Sequence, residues 1–292
     1  MLHTIENEHL KCTIESNGAE IRSLKDKNTG EEYIWQINAS VWGSSSPVLF
    51  PAIGNIKAGK ILYKEKEYAM TKHGIIRNNG QLVFIKKSSS CCSFTLISSE
   101  KTLEKYPFDF CFTVEYSLIG KRLKMQYHIE NKSNVPMQFS CGGHTAYACP
   151  IDENVKLSNY VIEFPVQKNL ISRKLGPSGL LSNNEKEISI ENGILQLTDT
   201  LFNEDALIFA NIDFDWVRLR KMHEEKGVIV RFTGYPNLAL WSKPAADYVC
   251  VEPWLGLPDN ENESLELTKK STYKSIDPNT KFSIAIETEI EN

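Results

Sequence analysis

Phe112-Thr113-Val114-Glu115-Tyr116-Ser117-Leu118 carries an apolar residue at every second position. Side chains of an extended chain point alternately to opposite faces, so this stretch reads as a strand with one dry and one wet face. The pattern resumes at Leu123, Met125, Tyr127 and Ile129 after Gly120-Lys121, whose glycine suits the turn of a hairpin. Runs of the same kind occur at 82–85, 216–219, 228–232, 248–251 and 282–286. The alternation of Val217 and Leu219 breaks at Met222, so that strand is expected to end or bulge near Lys221. Helical signals are sparse. Residues 99–105 suit one or two turns, with Ser98 or Ser99 as cap and Pro107 closing the segment. Residues 182–187 and 259–264 are polar and read as loops. No linker, low-complexity tract or internal repeat divides the chain. Residues 1–292 are therefore expected to form a single all-β domain of antiparallel strands; periodicity alone leaves sandwich and barrel both open.

Composition narrows the possible partners. The net charge is only -4, and Lys and Arg are spread through the chain without a basic stripe, which argues against nucleic acid. No apolar run approaches the roughly 20 residues of a membrane helix. The first residues, Met1-Leu2-His3-Thr4-Ile5-Glu6, have neither the basic nor the apolar stretch of a signal peptide. The seven cysteines are odd in number, include no C-x-x-C pair and fall partly inside apolar runs. Reduced buried thiols in a cytoplasmic protein are the expectation.

Three remote segments each place a titratable side chain beside Gly or Pro near the end of a strand-like run. They are Lys72-His73-Gly74, Cys141-Gly142-Gly143-His144 and Val249-Cys250-Val251-Glu252-Pro253-Trp254. Two imidazoles and a carboxylate in one cleft would supply an acid, a base and a hydrogen-bonding partner near neutral pH. A carboxylate entering beside Trp254 would be desolvated, which raises its strength as a base, and Pro253 holds Glu252 extended. The competing reading is a solvated Glu at a strand end. Gly142-Gly143 before His144 would let a ligand approach closely, whereas a lone histidine is commonly structural. Lys72, His73 and Arg77 together suit a polyhydroxylated or anionic ligand; a solvated basic loop is the alternative. Cys141 lies close to His144 in sequence but reads as a buried structural thiol. His3, His9, His128 and His223 are assigned no role. No H-E-x-x-H, H-x-H or C-x-x-C occurs, so no metal is expected, and no glycine-rich phosphate loop or G-x-S-x-G is present.

Taken in order, these segments resemble the aldose 1-epimerase (galactose mutarotase-like) superfamily, and most resemble its LacX-like branch. The resemblance begins at Asn17-Gly18-Ala19-Glu20-Ile21 and continues through Leu49-Phe50-Pro51-Ala52-Ile53-Gly54 and Lys72-His73-Gly74-Ile75-Ile76-Arg77. Tyr106-Pro107-Phe108 follows, then Gly142-Gly143-His144-Thr145-Ala146-Tyr147, Leu240-Trp241-Ser242 and 250–256. It implies a large antiparallel β-sandwich, a galactose mutarotase-like supersandwich with few short helices and a sugar cleft across one sheet. It also implies that Glu252 is the general base, His144 the general acid and His73 a hydrogen-bonding partner of the sugar. No cofactor is implied. His144 charged and Glu252 ionised together would give a bell-shaped pH profile. Three departures bear on the substrate. Asn55 stands where many members carry Arg, Ile75-Ile76 replaces Phe-Ala before Arg77, and Asp205 is the best counterpart of an Asp that grips sugar hydroxyls.

Three functions are therefore in competition. The first is a mutarotase for a free aldohexose. The second is a mutarotase for hexose 6-phosphates, with Lys72 and Arg77 on the phosphate; Asn55 argues against it. The third is a non-catalytic carbohydrate-binding protein of the same fold, and Trp241 and Trp254 would stack on sugar faces in either case. Paired acid and base favour catalysis, since binding alone has no use for Glu252 opposite His144. A small sugar, free or phosphorylated, is the expected partner, and the sequence leaves the oligomeric state open.

Overall fold

Across Gly120-Lys121 the strands Phe110–Ile119 and Arg122–Asn131 pair antiparallel, with Ile119 opposite Arg122. Gly120 takes a φ of 56°, the left-handed value its turn requires. Phe110, Phe112, Val114, Tyr116 and Leu118 are buried, while the residues between them are half-buried. This hairpin lies in a nine-stranded sheet in a computed structural model that describes residues 1–151, 155–244 and 246–291. In spatial order the sheet runs Ile194–Gln196, Tyr160–Glu163, Trp216–Lys221, Gly227–Arg231, Lys281–Ile290, Arg122–Asn131, Phe110–Ile119, Cys91–Ile97 and Val83–Lys86.

A second, eight-stranded sheet carries the site. Its order is Leu181–Ile188, Leu170–Leu175, Leu207–Ala210, Asn237–Trp241, Tyr248–Trp254, Gly142–Gly143 and Val48–Leu49, with Thr145–Ala148 also pairing with Tyr248–Trp254. The two sheets pack face to face as a sandwich, of the kind the resemblance implied. Tyr127 Oη donates to the Gly142 carbonyl at 3.1 Å, and the Tyr147 and Thr288 hydroxyls meet at 2.6 Å. Between them lies one core with Phe112, Val114, Tyr127, Val217, Val230 and Ile286 from one sheet and Leu238, Leu240, Val249 and Val251 from the other. Fully burying one such side chain contributes about 1.5–3 kcal/mol. The sheet of Leu2–Glu6, Leu10–Glu15 and Glu20–Asp26 adds Ile5, Leu10, Ile14 and Leu24 to that core.

The structure corrects two expectations. Residues 182–187 are not a loop but most of the strand Leu181–Ile188, paired with Leu170–Leu175 at the end of the second sheet. Residues 183–187 are exposed, so this outer strand is wet on both faces and carries no apolar alternation to read. Gly142-Gly143 admit protein rather than ligand. A Cβ on Gly142 would lie 2.5 Å from the Pro253 carbonyl oxygen, and one on Gly143 would lie 2.7 Å from Ile286 of the facing sheet. The glycines thus let neighbouring strand and opposing sheet close in behind His144.

Three readings of local structure hold. The strand Trp216–Lys221 ends where its alternation breaks, a short helix spans Glu100–Leu103 with Ser99 as its N-cap, and 259–264 is irregular. All seven cysteines are free thiols. Among the described residues no helix is long and apolar enough to cross a membrane.

Candidate active site

The strand Tyr248–Trp254 is buried along its whole length, so its two faces serve different purposes. Val249 and Val251 enter the core between the sheets, while Tyr248, Cys250 and Trp254 pack in clusters on the other face. Period two therefore puts Glu252 on that outer face, in a cavity of about 680 Å³. The neighbouring strand fixes its opposite number. Thr145 pairs with Val251 and Gly142 with Trp254, so His144 falls opposite Glu252 in the same register. Across the other neighbour Glu252 faces Ala239, whose small side chain leaves the carboxylate room.

His144 Nε2 lies 3.4 Å from Glu252 Oε2, with both residues buried. Trp42 stacks on the His144 ring at 5.1 Å, and Trp241 meets it edge-on at 5.7 Å. Among the described residues, His144 Nδ1 and Glu252 Oε2 have no hydrogen-bond partner. Each is a polar atom that a bound hydroxyl would satisfy.

His73 completes the group, its ring 5.5 Å from that of His144 and at a steep angle to it. Its φ of 67° is the left-handed region, which a histidine occupies only under constraint. Three contacts supply the constraint. The His73 amide donates to the Gly54 carbonyl, the Gly54 amide donates to His73 Nδ1 at 3.1 Å, and Gly74 packs against Phe50. A Cβ at Gly74 would lie 2.2 Å from the Phe50 oxygen, so only glycine fits there. Because Nδ1 accepts, the neutral His73 ring carries its proton on Nε2 and acts as a donor.

Burial dominates the electrostatics. It pushes Glu252 well above the usual carboxylate range, with Lys72 and Arg77 pulling back and Asp205 adding to the rise. It lowers His144 to about 3, helped by the charges of Arg77 and Lys72. His73 is also held well below the usual imidazole range, by burial and then by His144, Lys72 and Arg77. In the sugar-free cleft this favours a proton on Glu252 and a neutral His144, the reverse of the distribution expected from sequence. The two forms hold the same single proton.

Every residue singled out from the sequence as a site candidate lines this one cavity: Asn55, Lys72, His73, Arg77, His144, Asp205, Trp241 and Glu252. Their roles differ in detail. Asn55 Nδ2 donates to the Ser178 carbonyl at 3.0 Å, tying the wall to the turn that follows Leu170–Leu175. Asp205, with a φ of 80°, holds its own following amide through Oδ1 and lies on the other wall. Sequence reasoning missed Trp42 and Lys243. Trp42 precedes Gly43-Ser44-Ser45-Ser46, and a large aromatic in so polar a stretch was the available signal. His144, Cys250 and Glu252 also bring three ligand atoms within 4.8 Å of one another, a set that could hold a metal ion. Burial raises the Cys250 thiol well above its usual value, which keeps it protonated.

The sequence profile described as Aldose 1-epimerase matches residues 1–272. The chain belongs to the aldose 1-epimerase family. Within that family it resembles protein LacX of Lactococcus lactis subsp. lactis, 28% identical over 283 residues that cover 94% of each chain. The galactose mutarotase related enzyme of Lactobacillus acidophilus superposes with a TM-score of 0.93 at 31% identity, over 100% of this chain and 98% of that one. A galactose mutarotase-like protein of Lactobacillus casei gives 0.92 at 27% identity, with both chains fully covered. The cleft on which these comparisons bear is polar and floored by the buried His144–Glu252 contact.

Proposed function

We propose that this protein is an aldose 1-epimerase that interconverts the α and β anomers of an aldose. The observation that carries the reading is the 3.4 Å approach of His144 Nε2 to Glu252 Oε2 in a buried cleft. In the working form Glu252 is ionised and His144 protonated. Glu252 takes the proton of the anomeric hydroxyl, and that O–H pair becomes the second bond of the carbonyl. The C1–O5 bond breaks, and O5 keeps its electrons and takes a proton from His144. His73 Nε2–H donates to the ring oxygen or to a neighbouring hydroxyl. Rotation about C1–C2 presents the other carbonyl face, and closure with the roles reversed restores both groups. No proton or electron is gained or lost, so the cycle closes without a cofactor.

The working form differs from the favoured sugar-free form only in which partner holds the shared proton. Moving it across 3.4 Å changes neither net charge nor proton count. The Trp42 and Trp241 rings and the hydroxyl-facing polar groups supply the sugar surface.

Fresh α-glucose or α-galactose followed by polarimetry, or anomer exchange followed by NMR, tests the reading. Wild type is expected to accelerate exchange, and Glu252→Gln and His144→Ala are each expected to lose about 10²–10⁴-fold of that rate. Tight sugar binding by both wild type and Glu252→Gln, with exchange no faster than in buffer, would establish a binding protein instead.

A further inference from the structure

Cys250 is buried under the cleft, and the proton transfers of ring opening leave it unused. It stands two residues before Glu252 on the strand Tyr248–Trp254, so both side chains leave the same face. The neighbouring strand sets the small Ala146 opposite Cys250 and brings His144 opposite Glu252. An imidazole nitrogen, a thiol sulfur and a carboxylate oxygen thereby lie within 4.8 Å of one another.

The spacing suits a tetrahedral ion. Zinc holds imidazole nitrogen and carboxylate oxygen at about 2.0–2.2 Å, which sets the two donors about 3.3–3.5 Å apart. His144 Nε2 and Glu252 Oε2 are already 3.4 Å apart. Sulfur, with a bond of about 2.3 Å, belongs about 3.6 Å from each, so the Cys250 thiol has at most about 1.2 Å to close. Glu252 is 2% exposed, and among the described residues its Oε2 has no hydrogen-bond partner, so an unsatisfied acceptor lies against the other two donors. His144 and Glu252 both line the cavity of about 680 Å³, which supplies the way in. Three protein donors leave a fourth position for water or a sugar hydroxyl.

Donor type selects the ion. Thiolate with imidazole suits zinc and its thiophilic neighbours, whereas magnesium and calcium prefer oxygen throughout. Lys72 and Arg77 line the same cavity and oppose a dication, while Asp205 favours one. Among the described residues His144 Nδ1 has no partner to orient the ring, so the affinity is expected to fall below that of a closed structural zinc site.

We propose that His144, Cys250 and Glu252 form a binding site for a thiophilic divalent cation of the zinc class. On binding, the S–H bond breaks with its electron pair left on sulfur, which donates it to the metal. The thiol proton and the one shared by His144 and Glu252 pass to solvent, so neither acid nor base remains for ring opening. The ion is an inhibitor. Its binding stands apart from the epimerase reading, and the inhibition rests on that reading.

Two measurements on the full chain test the site. Cobalt, a coloured stand-in for zinc, is titrated while its thiolate charge-transfer absorption is followed, and zinc is titrated by calorimetry. Wild type is expected to bind one equivalent with the thiolate band present, and to give no heat with magnesium. Cys250→Ser is expected to lose the band and to bind zinc at least about 10-fold more weakly. Cys250→Ala repeats the measurement without a buried hydroxyl. A band that persists in both variants, or zinc binding that neither weakens, overturns the site. In the exchange assay, inhibition is read against each variant's own metal-free rate. Zinc is expected to slow wild type, reversibly on chelation, and Cys250→Ser is expected to need at least about 10-fold more zinc. Bound zinc without loss of exchange overturns the inhibition. No exchange in metal-free wild type removes the epimerase reading, and the two titrations then decide the site.

Discussion

Glu252 and His144 share one proton between their two titrations. Burial lowers His144 to about 3 and raises Glu252 well above the carboxylate range. Below about pH 3 the pair takes up a second proton and the base is lost. Above the raised Glu252 value it gives up its last proton and the acid is lost. The expected profile of kcat/KM is a broad bell, with its acid limb near 3 rather than near the ordinary imidazole value of about 6.5 and its basic limb at the raised Glu252 value. Polarimetric rates over short exposures across that range check it; a midpoint near 6.5 would mean that His144 titrates as a solvated ring. At this scale much of the site was legible. Glu252, His144 and His73 each stand beside Gly or Pro, and such residues mark backbone turns and strand ends. The purpose of those glycines was not legible: Gly142 and Gly143 face protein atoms, and only packing shows that.

The wall of the cleft depends on a buried ion pair between elements. Asp259 and Lys270 are in contact, with side chains only 2% and 1% exposed, and Asp259 Oδ2 also accepts the Lys57 amide at 2.9 Å. The Asp259 amide in turn donates to the Asn55 carbonyl, beside Pro258 and Gly54 of the cavity lining. Removing one partner leaves the other charge buried and alone. Lys270→Met is therefore expected to cost about 3–5 kcal/mol in urea unfolding, with most of it regained in Asp259→Leu/Lys270→Met. A single-variant cost below about 1 kcal/mol would show that water reaches the pair. Strand elements with one wet face, such as Phe110–Ile119, were legible from alternation. The strand Leu181–Ile188 was hidden because both of its faces are wet. The pairing of 142–148 with 248–254 was hidden for another reason: register between segments about a hundred residues apart leaves no local signal.

For the molecule as a whole, the buried Glu252 carboxyl weighs against stability. A carboxyl whose folded pKa is raised keeps its proton in the folded state after the unfolded chain has released it. Between the ordinary carboxylate value and the raised one, stability therefore falls as pH rises, at about 1.4 kcal/mol for each unit of that interval. Glu252→Gln removes this penalty while keeping the shape. It is expected to melt about 2 °C or more above wild type at neutral pH, and level with it near pH 4. Calorimetric melts at both values check the difference; a variant less stable at neutral pH would mean that the ionised carboxylate is stabilised by its surroundings. The sandwich was legible in outline, because alternation and the order of motifs agree, but which two sheets form and how they face one another follow from long-range pairing.

The strand that bears Glu252 is enclosed on both sides, packed into the main core through Val249 and Val251 and against Tyr248, Cys250 and Trp254 on the other. Its descendants have little freedom to vary: any change of volume there disturbs two interiors at once. Wall residues such as Lys72, Asp205 and Lys243 belong to neither interior. Under the proposed epimerase reading, changes of sugar preference would fall at the rim and leave the floor of the cleft untouched.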